Sequence, residues 1–158
     1  MIKNILLFPG VLFHELSHYV MCLILGVPVR KFNISIKDIS GFVEHVVPKS
    51  IIKSILISIA PGILAIFTAY FLLQYYPASF YLDILRYYLI FIFLYTSLPS
   101  KEDTRFYKHH NLTRKIVTFP LFLIFTIFYL FGKSSILRLI YSIVVILLIT
   151  SPELIMFL

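Results

Sequence analysis

The chain has 158 residues and a net charge of +7, and apolar residues make up 60% of it against 13% charged residues. Its mean hydropathy is +0.97. Soluble domains average about half apolar and a quarter charged residues, so the composition excludes an ordinary soluble domain and a disordered chain. Because a transmembrane helix needs about 20 apolar residues, the length predicts one membrane-embedded domain, residues 1–158, with at most five or six spans.

Five apolar segments predict transmembrane helices over residues 5–25, 51–73, 82–98, 116–131 and 136–149, the last of which can extend to residue 158. Between the first two, residues 29–47 alternate apolar and polar side chains around a turn at residues 38–41, which predicts a β-hairpin. Open strand edges cannot face lipid, so this hairpin must lie at the membrane interface or against the helices. The predicted fold class is an all-α polytopic membrane protein of about five helices with a short β-hairpin between the first and second.

The basic residues lie between the apolar segments, so the positive charge indicates membrane topology and we expect no nucleic-acid partner. Ten of the 14 Lys and Arg residues fall around two loops, after the first and third segments. Two intervening spans put these loops on the same side, which the positive-inside rule makes cytoplasmic. Alternating spans then place the N-terminus outside and the C-terminus inside.

The first segment contains an H-E-x-x-H motif, formed by His14, Glu15 and His18. Residues four apart share one face of a helix, so both imidazoles can bind one metal ion, and Glu15 can act as general base toward the attacking water. Zn²⁺ fits imidazole and carboxylate ligands. Ionisable groups near the middle of an apolar span are costly and indicate a functional site.

A catalytic zinc site needs a third protein ligand. Pro99 is expected to end the third helix near residue 98, which frees the following stretch to fold back with a carboxylate. Asp103 is the preferred ligand and Glu102 the alternative. Glu44, 26 residues after His18, is a further alternative, although it lies in the predicted hairpin.

With these motifs the chain resembles the site-2 protease group (M50-type) of intramembrane zinc metalloproteases, in a minimal form. The resemblance covers residues 5–105 and rests on the His14–His18 motif, the hairpin, the Ala60-Pro61-Gly62 run and the Pro99–Asp103 stretch. It implies that Asp103 is the third zinc ligand, that two further spans (residues 116–131 and 136–158) lie outside the core, and that the protein resides in a prokaryotic plasma membrane. Two features differ: Thr104 follows Asp103 where the family has Gly, and no Asn follows Gly62.

The leading functional hypothesis is hydrolysis of peptide bonds in a membrane-spanning substrate helix by a zinc-dependent endopeptidase. The alternative is a catalytically inactive membrane protein of the same fold that acts as a binding or structural partner. A metal-ion or proton transporter is a third class, but one charged cluster within a span makes a poor pathway. The oligomeric state is left open.

Overall fold

The computed structural model describes residues 2–75, 79–100, 103, 119–120, 123, 126–130 and 132–151. Its elements, in chain order, are α1 (Ile2–Ile24), β1 (Val29–Ser35), β2 (Ser40–His45), α2 (Ile51–Gln74), α3 (Phe80–Thr96) and α4 (Ser135–Thr150). The chain is therefore mostly helical with a hairpin between the first two helices, as the sequence predicts. Half of the predicted fourth segment, residues 116–131, and the extension beyond residue 151 lie outside the described residues.

Two of the described helices are long and apolar enough to cross a membrane, at Asn4–Ile24 and Ile51–Gln74. This is fewer than the five spans predicted. The helix α3 has 17 residues and α4 has 16, and at a rise of 1.5 Å per residue each is about 25 Å long. A perpendicular span of the hydrocarbon core needs about 30 Å. The helices α3 and α4 therefore fall short of a full span by length alone.

The first three helices alternate in direction, as expected for consecutive spans. Lys53 near the start of α2 donates to the Leu25 carbonyl just past the end of α1, at 2.6 Å, so α2 runs back along α1. In α3, Tyr88 donates to the Leu6 carbonyl early in α1, whereas Thr96 at the end of α3 lies beside His14 further along α1. Thus α1 and α3 are parallel, and the loops that follow them lie at the same end of the bundle.

Small and aliphatic residues form the core between α2 and α3. We call this cluster the α2–α3 core, and its fully buried members are Ala65, Ala69, Ile90 and Leu94. Small residues let helix backbones approach closely, which is how transmembrane helices pack in the absence of a hydrophobic driving force between them. Around this core, large apolar side chains are exposed, with Phe71 at 66% and Tyr81 at 81%. A surface this apolar is typical of contact with lipid.

The direction of α4 corrects the topology derived from the charges. Gly132, just before α4, lies beside the end of α3, since a Cβ placed on it would be 3.4 Å from the Pro99 carbonyl oxygen. Tyr141 contacts Ser97 at 3.5 Å, and Ile149 packs against the α2–α3 core. The helix α4 is therefore antiparallel to α3, whereas five alternating spans require the two to be parallel. The chain leaves α3 and enters α4 at the same end of the bundle, so the end of α4 lies opposite to the side predicted for the C-terminus.

The hairpin lies along α1 rather than apart from the helices. Its antiparallel register pairs Phe32 with Val43 and Ser35 with Ser40. Close to the tip, the Lys37 carbonyl accepts a hydrogen bond from Asn4 at the start of α1. Since the strands extend from the end of α1 back to its first turn, β2 passes the middle of the helix, where the H-E-x-x-H motif lies.

The turn of the hairpin lies two residues earlier than predicted. Ser35 donates to the Asp38 carboxylate at 3.1 Å, and Ile39 takes a positive φ of 47°. These interactions close the turn over residues 36–39, so Gly41 becomes a strand residue. Because Gly41 has no side chain, β2 can pack closely against α1 at this position.

Candidate metal centre

The two histidines of the motif lie one turn apart on the buried face of α1. His14 is 8% exposed and His18 is 5% exposed. Their Nε2 atoms are 3.2 Å apart. The i, i+4 spacing thus brings both imidazoles to one point, as predicted from the sequence.

Each imidazole is oriented by a backbone carbonyl from a different helix. The Nδ1 of His14 lies 2.8 Å from the Thr96 carbonyl oxygen in α3, and the Nδ1 of His18 lies 2.7 Å from that of Ile57 in α2. A carbonyl can only accept, so each Nδ1 carries the proton. In the neutral ring this leaves the Nε2 lone pair as the free ligand atom, which is the usual outer-shell arrangement of metal-binding histidines.

Both carbonyls lack a hydrogen-bond partner within their own helix, and the sequence explains why. Pro61 lies inside α2 and has no N–H, so the carbonyl of Ile57, four residues earlier, loses its helical partner. Thr96 is the last residue of α3, where carbonyls have no partner within the helix. This role of Pro61 was not predicted from the sequence.

Replacing Pro61 with Ala is expected to weaken zinc binding by about tenfold, at the lower end of the effects measured for outer-shell partners. The restored N–H at position 61 would compete with His18 for the Ile57 carbonyl, while the metal-free helix should gain stability because an interior proline is unfavourable. Zinc titration and thermal unfolding of the metal-free protein measure the two effects. Pro9→Ala, at the other helix-interior proline, is the control; equal affinity losses in both variants would contradict the role of Pro61.

Asp103 completes the cluster from the turn that follows α3. Its Oδ1 lies 2.9 Å from His18 Nε2 and its Oδ2 lies 3.4 Å from His14 Nε2. The backbone N–H of Ser100 donates to Oδ2 at 2.6 Å, and Ser58 of α2 donates to the Asp103 backbone carbonyl at 2.6 Å. The turn is therefore held both by its own hydrogen bonds and by α2.

The electrostatics of the turn keep this carboxylate ionised. Burial by itself raises the pKa of Asp103. In the metal-free site, a protonated His18 and hydrogen bonds donated by protonated Nε2 atoms of His14 and His18 outweigh burial, so the pKa of Asp103 lies below its usual range. Asp103 therefore presents a carboxylate, and not a carboxylic acid, to the two imidazoles.

The three residues bring their ligand atoms close to the spacing of a tetrahedral zinc site. Bonds of 2.0–2.1 Å at tetrahedral angles place neighbouring ligand atoms about 3.3 Å apart. The two Nε2 atoms are 3.2 Å apart, and each lies near a different oxygen of Asp103: His18 is 2.9 Å from Oδ1 and His14 is 3.4 Å from Oδ2. With one ligand atom taken from each residue, the three atoms lie within 4.8 Å of one another. Two imidazole lone pairs and a carboxylate that face each other repel unless a positive centre lies between them. The donor set and the spacing thus fit a divalent transition metal such as Zn²⁺.

Glu15 lies beside this cluster, with the hairpin packed against its side chain. A Cβ placed on Gly41 would be 2.4 Å from Glu15 Cγ and 3.1 Å from Cδ. Any residue larger than glycine would push this side chain aside. Glu15, Gly41 and the three ligand residues all line one cavity of about 680 Å³, together with the rest of β2. The cavity is large enough to hold an extended peptide segment.

Of the two alternative ligands, Glu44 does not join the cluster. Glu44 lines the same cavity, but its carboxylate is 54% exposed and pairs with Arg30 at 3.9 Å. Glu102 lies outside the described residues. The roles of Ser58 and Gly10 in positioning the ligands were not predicted from the sequence. For Gly10 the available signal is its spacing, since it precedes His14 by one helical turn.

Gly10 sets the distance between α1 and α3 at the metal centre. A Cβ here would lie 2.7 Å from the Thr96 side chain and 2.9 Å from the Ile92 carbonyl oxygen. Because Thr96 also holds His14, we expect Gly10→Ala to move α3 away and to lower zinc affinity at least tenfold, measured by competition with a chromophoric chelator. Gly62→Ala is the matched control, since its nearest neighbour is 3.9 Å away. Unchanged affinity in Gly10→Ala would show that the contact does not set the ligand geometry.

Comparisons with protein-family models, with curated proteins and with solved structures found no match to this chain.

Proposed function

We propose that this protein is a zinc-dependent endopeptidase that cleaves peptide bonds within the membrane. The observation that carries the proposal is the convergence of His14, His18 and Asp103 in a cavity that also contains Glu15. These residue types supply the three ligands and the general base that metal-dependent hydrolysis needs. The burial of His14 and His18 in an apolar helix argues against an incidental surface cluster, because such groups are costly there.

A membrane location is part of the proposal. His14 lies about 18 Å along α1 at 1.5 Å per residue, close to the middle of this 23-residue helix. Both α1 and α2 are long and apolar enough to span. We propose an integral protein of the prokaryotic plasma membrane with the ends of α1 and α3 on the cytoplasmic side, where the basic residues concentrate.

The side chains of the site supply the groups that the proposed peptide hydrolysis needs. Bound Zn²⁺ would lower the pKa of a coordinated water and polarise the scissile carbonyl. His14, His18 and Asp103 hold the ion, and the Thr96 and Ile57 carbonyls fix the two rings. Glu15 takes the proton from the attacking water and delivers it to the leaving amine, which is general acid–base catalysis by one carboxylate.

The hairpin provides a means of holding the substrate. A transmembrane helix hides its amide groups, so the scissile segment must unwind before hydrolysis. All six residues of β2 line the cavity, and within the described residues β2 pairs only with β1. An unwound substrate strand can pair with the other edge of β2 by strand addition, which satisfies its backbone hydrogen bonds in a medium that offers no alternative.

The proposal is tested with purified, zinc-loaded protein in liposomes that also contain a single-span substrate with a helix-destabilising segment. We expect cleavage that stops on chelation of zinc and resumes when zinc is returned. Cleavage that persists in metal-free protein would contradict the zinc mechanism. Stoichiometric zinc without cleavage of this substrate would contradict the protease assignment.

The second candidate function is a catalytically inactive partner protein of the same fold. The observation that favours it is the packing of Gly41 directly on Glu15, which brings the hairpin over the general base. In that case a partner helix occupies the cavity without being cut. Zinc binding together with stable capture of an intact helix distinguishes this function from proteolysis.

A further inference from the structure

The cavity contains one permanent positive charge besides the proposed metal ion. Arg138, in the first turn of α4, is the only arginine or lysine among the described residues that line it. The ionisable groups around it are the carboxylates of Glu15, Glu44 and Asp103 and the imidazoles of His14, His18 and His45. None of the steps assigned above uses Arg138.

The guanidinium is held in place without being neutralised. Its Nε donates to the Gly132 carbonyl, and its Cζ lies 5.8 Å from the centre of the Tyr95 ring. Within the part of the chain that the structure describes, no carboxylate pairs with it. Both terminal nitrogens therefore have donors that remain available to a ligand.

This position is unfavourable for an arginine with only a structural role. A cation in the first turn of a helix faces the positive end of the helix dipole. Arg138 is half-buried, and in a membrane protein even partial burial of a charge without a counter-ion is costly. The contacts with Gly132 and Tyr95 orient the group. Among the described residues no carboxylate pairs with it, so the guanidinium can bind an anionic ligand.

We propose that Arg138 binds a carboxylate of the peptide held in the cavity and selects substrates with an acidic group near the scissile bond. This inference rests on the proposed function. The planar guanidinium matches a carboxylate in two parallel hydrogen bonds. A singly charged group suits this cavity better than phosphate, because Glu15 and Asp103 line the same space and repel a second negative charge.

Two sources can supply the carboxylate: an Asp or Glu side chain of the substrate, or the terminal carboxylate of a chain. Arg138 lies on the side of the cavity formed by the end of α3, since Gly132 packs against Leu98 and Pro99. A substrate strand along β2 would approach it with one side chain or with its end. Selectivity of this kind sets where a substrate is cut as well as which substrate is bound.

The test measures binding of labelled apolar peptides to zinc-loaded Glu15→Gln protein, which is expected not to cut them. One arm compares peptides with Glu or its neutral isostere Gln at each position in turn. The other arm compares a free carboxyl terminus with its amide. We expect about tenfold tighter binding of the acidic member in one arm, as hydrogen bonds to charged groups contribute, and that arm identifies the source.

Arg138→Gln, added to this background, should remove the preference for the acidic peptide and retain zinc. Arg138→Lys should keep part of the preference, because lysine keeps the positive charge but cannot make the two parallel hydrogen bonds of a guanidinium. Lys133→Gln, at an exposed cation near the same end of α4, is the matched control and should keep the full preference. Retained zinc content shows that each variant is folded.

The outcomes separate this inference from the proposed function. Equal binding of acidic and neutral peptides, no binding of either, or a preference that survives Arg138→Gln would overturn the role of Arg138. An acid preference that depends on Arg138, in a protein whose wild type cuts none of the peptides, would support the carboxylate site and refute the protease assignment.

Discussion

Glu15→Gln is expected to abolish cleavage while zinc remains bound. The amide has the size of the carboxylate and fits the same space beside Gly41, but it cannot accept the proton from water. Loss of a general base lowers rates by about 10²- to 10⁴-fold, so we expect a decrease in kcat of at least a hundredfold. Initial rates in liposomes and metal analysis of the same preparation measure both properties.

The matched control is Glu44→Gln, which makes the same chemical change in the same cavity. Glu44 is half-exposed, pairs with Arg30 and stands outside the metal cluster. Its variant should keep both zinc and most of the activity. Full activity in Glu15→Gln would remove Glu15 from the reaction, and loss of zinc in that variant would show that it supports the metal instead.

Asp103→Ala is expected to remove zinc from the protein. It deletes one of three ligands and leaves two buried imidazoles whose Nε2 atoms lie 3.2 Å apart. Loss of an outer-shell partner already weakens metal affinity by about 10- to 100-fold, and loss of a direct ligand should exceed that. Mass spectrometry after exchange into zinc-free buffer should find about one zinc per wild-type chain and almost none in the variant.

The controls for Asp103→Ala are Glu44→Ala and Glu102→Ala, the two alternative ligands. Both variants should retain zinc. A wild-type level of zinc in Asp103→Ala, with loss in either control, would reassign the third ligand and contradict the site described here. Absence of zinc from the wild type after supplementation would contradict the metal centre altogether.

Local sequence patterns predicted the elements of this protein closely. The apolar run at residues 51–73 matches α2 (Ile51–Gln74), and the alternating residues at 29–47 form the hairpin. The pairing of His14 with His18 was also predictable. These features depend on helical or strand periodicity and on turn chemistry, which act between residues a few positions apart.

The tertiary structure alone decided which carboxylate joins the histidines and which way α4 runs. Asp103, Glu102 and Glu44 are chemically similar, and only the fold places Asp103 within 2.9 Å of His18. That placement needs α1, α2 and α3 to approach closely, which depends on small residues and on carbonyls freed by Pro61 and by the end of α3. Tertiary packing also places Gly132, just before α4, beside Pro99, and this contact brings Arg138 into the cavity. Contacts between residues so distant in sequence arise from packing, and no short-range pattern encodes them.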